Sequence, residues 1–551
     1  MDSTTSDRSA GVLLGQACGD ALGVPYEFRT PPGDDELAEM KGGGLGPYQP
    51  GEWSDDTQMA LCIARVAAKG VDLTTDEALD KIADAFLDWG THGASDIGNQ
   101  TRAVLRAARQ SEGPAGKRLR DAARAYASRN PQSAGNGALM RTSVVGLTSL
   151  DDRDATARGA RAVAELTHGD PLAAESCVLW SEAVRVAVNS GELELLAGLD
   201  LLPEERRDQW RGWIEQATDA DPRQFTPNGF TVTALQAAWA SITSTPEPDL
   251  DPAEGSYPCL HLQHALHNAI RVGDDTDTVA AIAGGLAGAR WGSSAVPWHW
   301  RRAVHGWPDD LTVRDLVSLG IVTALGGTTD AQQWPTGDRI ESRDYDYTPR
   351  AAVRHPYDDS VWLGTVAASG HDADAVVSMC RLGVGQVPAT GVDIRDHVEA
   401  WLIDSDDRDK NLNLDFVLAD IAAATAGLRA EGRRVLLHCV AAQQRTPSAG
   451  IAYARRLGIP GHEAVAAIEQ ARQRHGPTGD CGTRPSRCRQ RTRSGRELGR
   501  DPDLAPRCCT NVRADLKLCP LASPTHRRFT ALFGRATSGA GANSPNAISS
   551  S

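Results

Sequence analysis

Small and apolar residues recur every three to four positions through the first half of the chain, from Gly11 to about Gly292. This spacing places them on one face of a helix, so that helices can pack against one another. Two runs that show the pattern are Ala60, Ile63, Ala64, Val66, Ala67 and Val104, Ala107, Ala108. The alternation of apolar and polar residues that is typical of half-buried strands is nearly absent. The pattern therefore predicts an all-α domain that ends in the stretch after about Gly292.

The pattern changes after residue 310. Trp, Pro and Gly punctuate the chain between about Ser293 and Arg350, and we interpret residues 311–350 as a linker. Residues 414–428 again have the spacing of a helix. Short apolar runs that predict buried strands occupy 361–366, 375–380 and 435–439. Strands that alternate with a helix indicate a small α/β domain over residues 351–474.

Apolar periodicity stops beyond about Arg474, and Arg, Ser, Thr, Gly and Pro dominate as far as Ser551. Because such a segment cannot bury a core, residues 475–551 are predicted to form a disordered tail. The cysteines of this tail could in principle bind zinc, but their spacing contains no CxxC pair to support a zinc site. They are Cys481, Cys488, Cys508, Cys509 and Cys519.

Length and charge narrow the class of protein. The chain has 551 residues, with 41% hydrophobic and 23% charged, which predicts several folded domains. A formal net charge of -15 argues against a general affinity for nucleic acid, because that affinity needs clustered Lys and Arg. Residues 1–10 are polar and no uninterrupted apolar run reaches about 18 residues, so we expect a cytoplasmic protein that does not enter membranes.

Two acidic clusters, SDDT at 54–57 and DDTDT at 274–278, stand where predicted helices begin. Free backbone N–H groups and the helix dipole favour ionised carboxylates at that position. Magnesium and manganese prefer several oxygen ligands, and the two clusters together offer enough carboxylates and hydroxyls for a pair of ions. Each cluster taken alone would be better explained as a helix cap with solvated neighbours; it is the two together that point to a metal site.

Six ordered segments carry a family resemblance: GQACGDALGVPYEF (15–28), WSDDTQ (53–58), DIGNQTR (96–102), GNGALMR (135–141), THGDP (167–171) and GDDTDT (273–278). In order and spacing they resemble the ADP-ribosylglycohydrolase family, which includes enzymes that reactivate ADP-ribosylated dinitrogenase reductase. The resemblance covers about residues 10–310. It implies an all-helical domain that acts on an ADP-ribosylated protein or another ADP-ribose derivative.

The resemblance also implies a site with two Mg²⁺ or Mn²⁺ ions. The matching ligand positions are Ser54, Asp55, Asp56, Asp275, Asp277 and Thr278. Ser54 stands where the family usually has Thr, and both residues offer a hydroxyl. Without the resemblance, the glycines would be explained as a plain turn and the histidine as a packing residue. The resemblance implies that these positions contact the ribose and adenine of the substrate: Gly135, Asn136, Gly137 and His168.

Two further acidic residues match positions near the reacting centre. Glu27 matches the residue that lies over the metal site, and Asp96 matches one placed at the substrate. Metal ions that bind the ribose diol would stabilise charge as the glycosidic bond breaks, while one carboxylate activates water. The sequence does not rank Glu27 and Asp96 as the general base.

A second motif follows the last predicted strand, in VLLHCVAAQQRTP at 435–447. Cys439 and Arg445 have the Cys-x5-Arg spacing of a phosphate-binding loop. In such a loop Arg445 would bind the phosphate through two hydrogen bonds, and Cys439 would be the nucleophile. Residues 355–472 resemble the dual-specificity branch of the protein tyrosine phosphatases. Asp404 is the best match for their general acid, with Asp406 and Asp407 as alternatives.

One position departs from the phosphatase pattern. The family commonly has Gly where this chain has Ala442, which predicts strain if that position needs a positive φ. The sequence thus predicts a metal-dependent ADP-ribosyl hydrolase fused to a phosphatase-like domain that acts on a phosphorylated substrate. Three alternatives remain. Because of Ala442, the phosphatase-like domain could be weakly active or bind phosphate without turnover. The protein could also be a phosphatase whose helical domain only binds ADP-ribose, or a non-catalytic ADP-ribose-binding or structural protein.

Overall fold

The structure is a computed structural model that describes residues 1–330, 334–335, 351–405 and 408–474. The predictions of a disordered tail and of cysteine ligands within it lie outside the described residues, as do Asp406 and Asp407. None of the described helices is both long and apolar enough to cross a membrane.

Helices provide nearly all of the regular secondary structure in the first part of the chain, as the periodicity predicts. They are α1 (Ser3–Gly23), α2 (Asp55–Ala67), α3 (Asp76–His92), α4 (Asn99–Arg109), α5 (Ala115–Arg129), α6 (Arg153–Ala164), α7 (Pro171–Ser190), α8 (Glu204–Ala217), α9 (Thr231–Thr243), α10 (Leu260–Arg271), α11 (Thr276–Trp291), α12 (Trp298–Ala303) and α13 (Val313–Ala324). Two short strands, β1 (His305–Gly306) and β2 (Leu311–Thr312), pair between the last two helices.

Local sequence explains where these helices begin and end. Helix α7 begins after Asp170, whose carboxylate accepts the backbone N–H of Leu172, and Pro171 occupies its first position. It ends at Gly191 in the left-handed conformation, with φ of 80°. Helix α1 is buried along almost all of its length beyond Ser9, so it runs through the centre of the helical core.

The first part of the linker predicted over residues 311–350 is not a linker in the structure. Helix α13 forms there, with Thr312 and Asp315 in a capping box at its N-terminus. Its apolar residues Leu316 and Ile321 are fully buried, and Gly320 allows close contact with the backbone of Ser9 on α1. A short amphipathic helix had been obscured by the Gly and Pro residues on either side of it.

The α/β part contains one five-stranded sheet. Its strands are β3 (Val353–His355), β4 (Asp358–Thr365), β5 (Ala375–Ser378), β6 (His397–Glu399) and β7 (Val435–Cys439), in the order β3-β4-β7-β5-β6. The helices are α14 (Leu414–Ala430), α15 (Arg445–Arg456) and α16 (Gly461–Arg474). Only β3 is antiparallel to its neighbour, so β7 lies at the centre of a parallel sheet. The three predicted strands and the helix over 414–428 are confirmed.

Ion pairs join the helical part to the α/β part. Three arginines of α12 and α13 reach acidic residues of β6, of the turn before it and of α14, and the acidic partners are largely buried. The pairs are Arg301–Asp420 at 2.6 Å, Arg302–Asp396 at 2.8 Å and Arg314–Glu399 at 2.5 Å. Since an unpaired buried charge is costly, these pairs fix which faces of the two parts meet.

Candidate active site

A close contact between α1 and α11 brings acidic residues of the two helices together. A Cβ added at Gly15 would lie 2.2 Å from the carbonyl oxygen of Gly284, and one added at Gly23 would lie 2.3 Å from the Cα of Asp277. Only glycine at these positions allows the two backbones to touch. The contact therefore places Asp20, on α1, beside the N-terminus of α11.

Asp20 caps helix α2 from outside that helix. Its carboxylate accepts the backbone N–H of Ser54 at 2.7 Å and that of Thr57 at 3.0 Å, and also the Ser54 hydroxyl at 2.7 Å. These bonds satisfy the free N–H groups of the first turn, in which Asp55 and Asp56 lie. The start of α2 is thus fixed by a residue 34 positions earlier in the chain.

Two overlapping sets of carboxylates form where α1, α2 and α11 meet. One set is Asp20, Asp56 and Asp277, and the other is Glu27, Asp275 and Asp277; in each, one oxygen per residue lies within 4.8 Å of the others. Asp56 Oδ1 is buried and has no hydrogen-bond partner among the described residues. An orphaned carboxylate oxygen among hard oxygen donors fits Mg²⁺ or Mn²⁺.

Burial and mutual repulsion make the carboxylates of the cluster hard to ionise without cations. Burial is the main cause and neighbouring carboxylates add to it for Glu27, whose pKa rises to about 9. Burial likewise raises the pKa of Asp20 to about 6, although its hydrogen bonds with Ser54 and Thr57 oppose the shift. The pKa values of Asp55, Asp56 and Asp277 are also raised well above the ordinary range. Bound cations would relieve this repulsion.

These shifts predict that the metal-free protein becomes less stable as pH rises. The unfolded carboxyls ionise near pH 4, whereas folded Glu27 ionises near pH 9, so stability present at low pH is lost between those values. Asp56→Asn should therefore raise the Tm of the metal-free protein at pH 8 by about 3–5 °C, with little effect at pH 4.5. Thermal melts in chelator across this pH range measure it.

The exposed Asp84 on α3 provides the matched control, because Asp84→Asn removes the same charge outside the cluster. Its Tm should follow the wild type at each pH. A lower Tm for Asp56→Asn than for the wild type at pH 8 in chelator would contradict the repulsion described above.

A cleft with a volume of about 440 Å³ opens over one side of the carboxylates. Its lining includes most of the residues predicted for the site: Glu27, Asp55, Asp96, Gly135, Asn136, Gly137, His168, Asp275, Asp277 and Thr278. Ser54 and Asp56 lie behind this surface and are buried. The structure thus brings all the positions predicted for the helical part into one region.

A buried arginine holds the part of the cleft wall that contains Gly137 and His168. Arg141 donates to the Gly137 carbonyl at 2.8 Å and to the Thr167 hydroxyl at 2.6 Å. The Thr167 hydroxyl has no acceptor among the described residues other than His168 Nδ1, 2.8 Å away, so we assign its proton to that bond. The Nε2 of His168 therefore carries the ring proton. Burial, with a smaller effect of Arg141, lowers the pKa of His168 to about 3, so the ring is a neutral donor.

Glycine at 135 and 137 has a packing reason of its own. A Cβ at Gly137 would lie 3.2 Å from the Cε1 of His168, and one at Gly135 would lie 3.2 Å from Gln100 Oε1. Asn136 between them donates to Asp275 Oδ2 at 2.7 Å. This segment is therefore connected directly to the carboxylate cluster.

Two residues of the site were not singled out from the sequence. Asp20 lies within the segment GQACGDALGVPYEF at 15–28. The sequence could have indicated it, because it is an acidic residue among the glycines of an otherwise apolar helix. Asn228 lies in the loop that precedes α9, and nothing in its local sequence distinguishes it. Its hydrogen bonds to residues 273–275 emerge only in the folded chain.

The predicted Cys-x5-Arg loop connects the central strand β7 to α15. Cys439 ends the strand and is almost fully buried, and its Sγ accepts the backbone N–H of Ala442 at 3.2 Å. Ala442 has φ of 52°, which is the conformation that favours glycine, so the strain predicted for this position is present. The loop leads directly into the first turn of α15.

Arg445 faces the acidic residue proposed as general acid. It donates to Asp404 Oδ2 at 3.0 Å and to the carbonyl oxygens of Met379 and Leu402 at 3.0 and 2.9 Å. Cys439, Arg445 and Asp404 are thus brought together at the carboxyl end of the sheet. In this arrangement the Arg445 guanidinium is engaged by protein oxygens.

The helical fold and its carboxylate-lined cleft define a class of helical hydrolases with a candidate divalent-metal site. Residues 1–333 match the ADP-ribosylglycohydrolase family. The chain belongs to this family, whose members hydrolyse ADP-ribosyl linkages and are generally metal-dependent. The match ends before the five-stranded sheet.

Curated relatives agree with this assignment. The chain is 31% identical over 307 residues to the ADP-ribosylarginine hydrolase Tri1 of Pseudomonas putida, covering 53% of this chain and 73% of that one. It is 28% identical over 306 residues to the ADP-ribosyl-[dinitrogen reductase] glycohydrolase of Rhodospirillum rubrum, covering 53% and 89%. It is 25% identical over 340 residues to human ADP-ribosylhydrolase ARH3, covering 55% and 90%.

Proposed function

We propose that a domain formed by residues 10–310 cleaves the glycosidic bond between ADP-ribose and a modified acceptor, with two Mg²⁺ or Mn²⁺ ions bound. The observation that carries the proposal is the pair of overlapping carboxylate sets on one side of a large cleft. A merely structural or ADP-ribose-binding domain has no physical need for buried carboxylates that repel one another. A catalytic metal site explains them.

The proposed metal ligands are side chains from the starts of α2 and α11: Ser54, Asp55, Asp56, Asp275, Asp277 and Thr278. Bound cations would supply positive charge for the ribose diol and for the charge that develops as the glycosidic bond breaks. These ligands stand at helix N-termini, where the backbone N–H groups favour ionised carboxylates. Asp20 supports them by fixing the first turn of α2.

Residues of the chain would orient the substrate and move the proton. We assign Gly135, Asn136, Gly137 and His168 to the ribose and adenine, with the His168 Nε2–H as a hydrogen-bond donor in the cleft. Glu27 or Asp96 would accept a proton from the attacking water. Glu27 belongs to a carboxylate set, whereas Asp96 lies on the loop between α3 and α4.

ADP-ribosylarginine is the acceptor linkage that we propose first, because the relative from Pseudomonas putida is named for it. Purified protein should release ADP-ribose from an ADP-ribosylarginine peptide in the presence of Mg²⁺ or Mn²⁺. Chelation should reduce the rate by at least about a hundredfold, and added metal should restore it. Chromatography of the released nucleotide measures the rate, and an ADP-ribosylserine peptide tests the choice of acceptor.

We also propose that residues 351–474 form a phosphatase-like domain with Cys439 as nucleophile, Arg445 as phosphate ligand and Asp404 as general acid. Support comes from the loop between β7 and α15, which Cys439 and Arg445 flank, and from the hydrogen bond that Arg445 donates to Asp404. A helix N-terminus next to a cysteine and an arginine suits a phosphate monoester. The alternative of a phosphatase with a non-hydrolytic, ADP-ribose-binding helical domain predicts ADP-ribose binding without release.

A further inference from the structure

We propose that Asn228 is a positioning residue that fixes the Asp275 carboxylate of the metal site, an inference that rests on the proposed function of that site. Asn228 is fully buried on the loop before α9. Its side-chain amide reaches across to the loop before α11, where it contacts residues on both sides of Asp274. It is outside the two carboxylate sets and would contact neither metal nor substrate.

Both halves of the Asn228 amide are used on this loop. The Nδ2 donates to the Gly273 carbonyl at 3.0 Å, and the Oδ1 accepts the backbone N–H of Asp275 at 3.0 Å. A side-chain amide is uncharged and carries a donor and an acceptor side by side, so it can bridge two peptide groups as another peptide would. Asp would lack the donor, and Leu would lack both.

The bridge spans a turn whose middle residue is left-handed. Asp274 lies between the two bonded residues with φ of 55°, a conformation that is uncommon outside glycine and that Asp adopts more readily than most residues. Two hydrogen bonds from a buried side chain hold this turn closed. The turn sets the direction in which the Asp275 carboxylate leaves the backbone.

A second link joins the same loop to the substrate side of the cleft. Asn136 donates one N–H to the main-chain oxygen of Asn228 at 3.1 Å and the other to Asp275 Oδ2 at 2.7 Å. Asp275 is therefore held at its backbone by Asn228 and at its carboxylate by Asn136. Residues that orient a metal ligand in this way change metal affinity by about 10- to 100-fold when removed.

Asn228→Ala and Asn228→Asp test this role in the full chain, with Mn²⁺ titrated by calorimetry and the metal-free Tm measured beside it. Both variants should weaken Mn²⁺ binding by about tenfold or more. The Asp variant is decisive, because its added negative charge would by itself attract the cation. Weaker binding in Asn228→Asp therefore reports lost positioning and not lost charge.

Asn268→Ala is the matched control, since its amide also bonds within the helical part, to Thr245, but away from the carboxylates. It should bind Mn²⁺ as the wild type does. Unchanged or tighter Mn²⁺ binding in Asn228→Asp would overturn the inference, as would a fall in metal-free Tm alone. Should Asn228→Ala fail to fold, Asn228→Asp decides alone. Failure of the wild type to bind Mn²⁺ would instead overturn the proposed metal site together with this inference.

Discussion

Replacing Asp55 and Asp56 together by alanine should reduce ADP-ribose release by about a thousandfold or more while the protein stays folded. The substitution removes one member of the carboxylate sets and a carboxylate that lines the cleft. Metal ligands should matter more than the outer residues that orient them, whose loss costs about 10- to 100-fold. Initial rates on an ADP-ribosylarginine peptide, at saturating Mn²⁺, measure the effect.

The fold should survive this double substitution because the two carboxylates destabilise the metal-free protein. Burial and neighbouring charge raise the pKa of both residues, so their removal relieves repulsion. The metal-free Tm should not fall, but the rise in Tm that Mn²⁺ causes in the wild type should disappear. These two readings separate a lost metal site from a misfolded protein.

Asp84→Ala/Asp208→Ala serves as the control, because it removes two exposed carboxylates from α3 and α8 of the same helical part. It should release ADP-ribose at the wild-type rate. Release by the Asp55/Asp56 variant within a factor of ten of the wild type would contradict the carboxylate site. No release by the wild type from arginine or serine linkages, despite bound metal, would leave ADP-ribose binding as the function of the helical part.

Local sequence was sufficient to predict most helices and strands of this chain. Helix α7 is an example, because Asp170 and Pro171 mark its start and apolar spacing continues for five turns. The strands 361–366 and 435–439 were equally evident from their apolar runs. Helix α13 was missed because its signal is brief and lies between Gly- and Pro-containing segments.

The site was predictable only where its residues follow one another in the sequence. The clusters at 54–57 and 274–278 are local, and the family resemblance joined them. Asp20 and Asn228 act across 34 and 47 positions, respectively, and depend on how helices and loops meet. Sequence spacing carries no information on such contacts, because they are set by packing such as the glycine contact between α1 and α11.

Cys439→Ser should abolish hydrolysis of a phosphate monoester such as p-nitrophenyl phosphate, with a loss of about a thousandfold or more, and leave ADP-ribose release unchanged. The serine hydroxyl is a far weaker nucleophile than a thiolate in the same loop. The helical site would be unaffected because none of its residues lies in this loop. Parallel assays of both reactions on one protein preparation measure the two effects.

Ala442→Gly provides the complementary variant. Ala442 has φ of 52° in the loop, and its N–H is bonded to Cys439 Sγ. Glycine adopts this φ without strain, so the variant should be more stable and should turn over phosphate monoesters at least as fast as the wild type. Cys380→Ser, at another buried cysteine of the α/β part, should leave that rate within about twofold. Absence of phosphate release from both the wild type and Ala442→Gly would overturn the phosphatase proposal, and phosphate binding that depends on Arg445 would then mark a loop that binds without turnover.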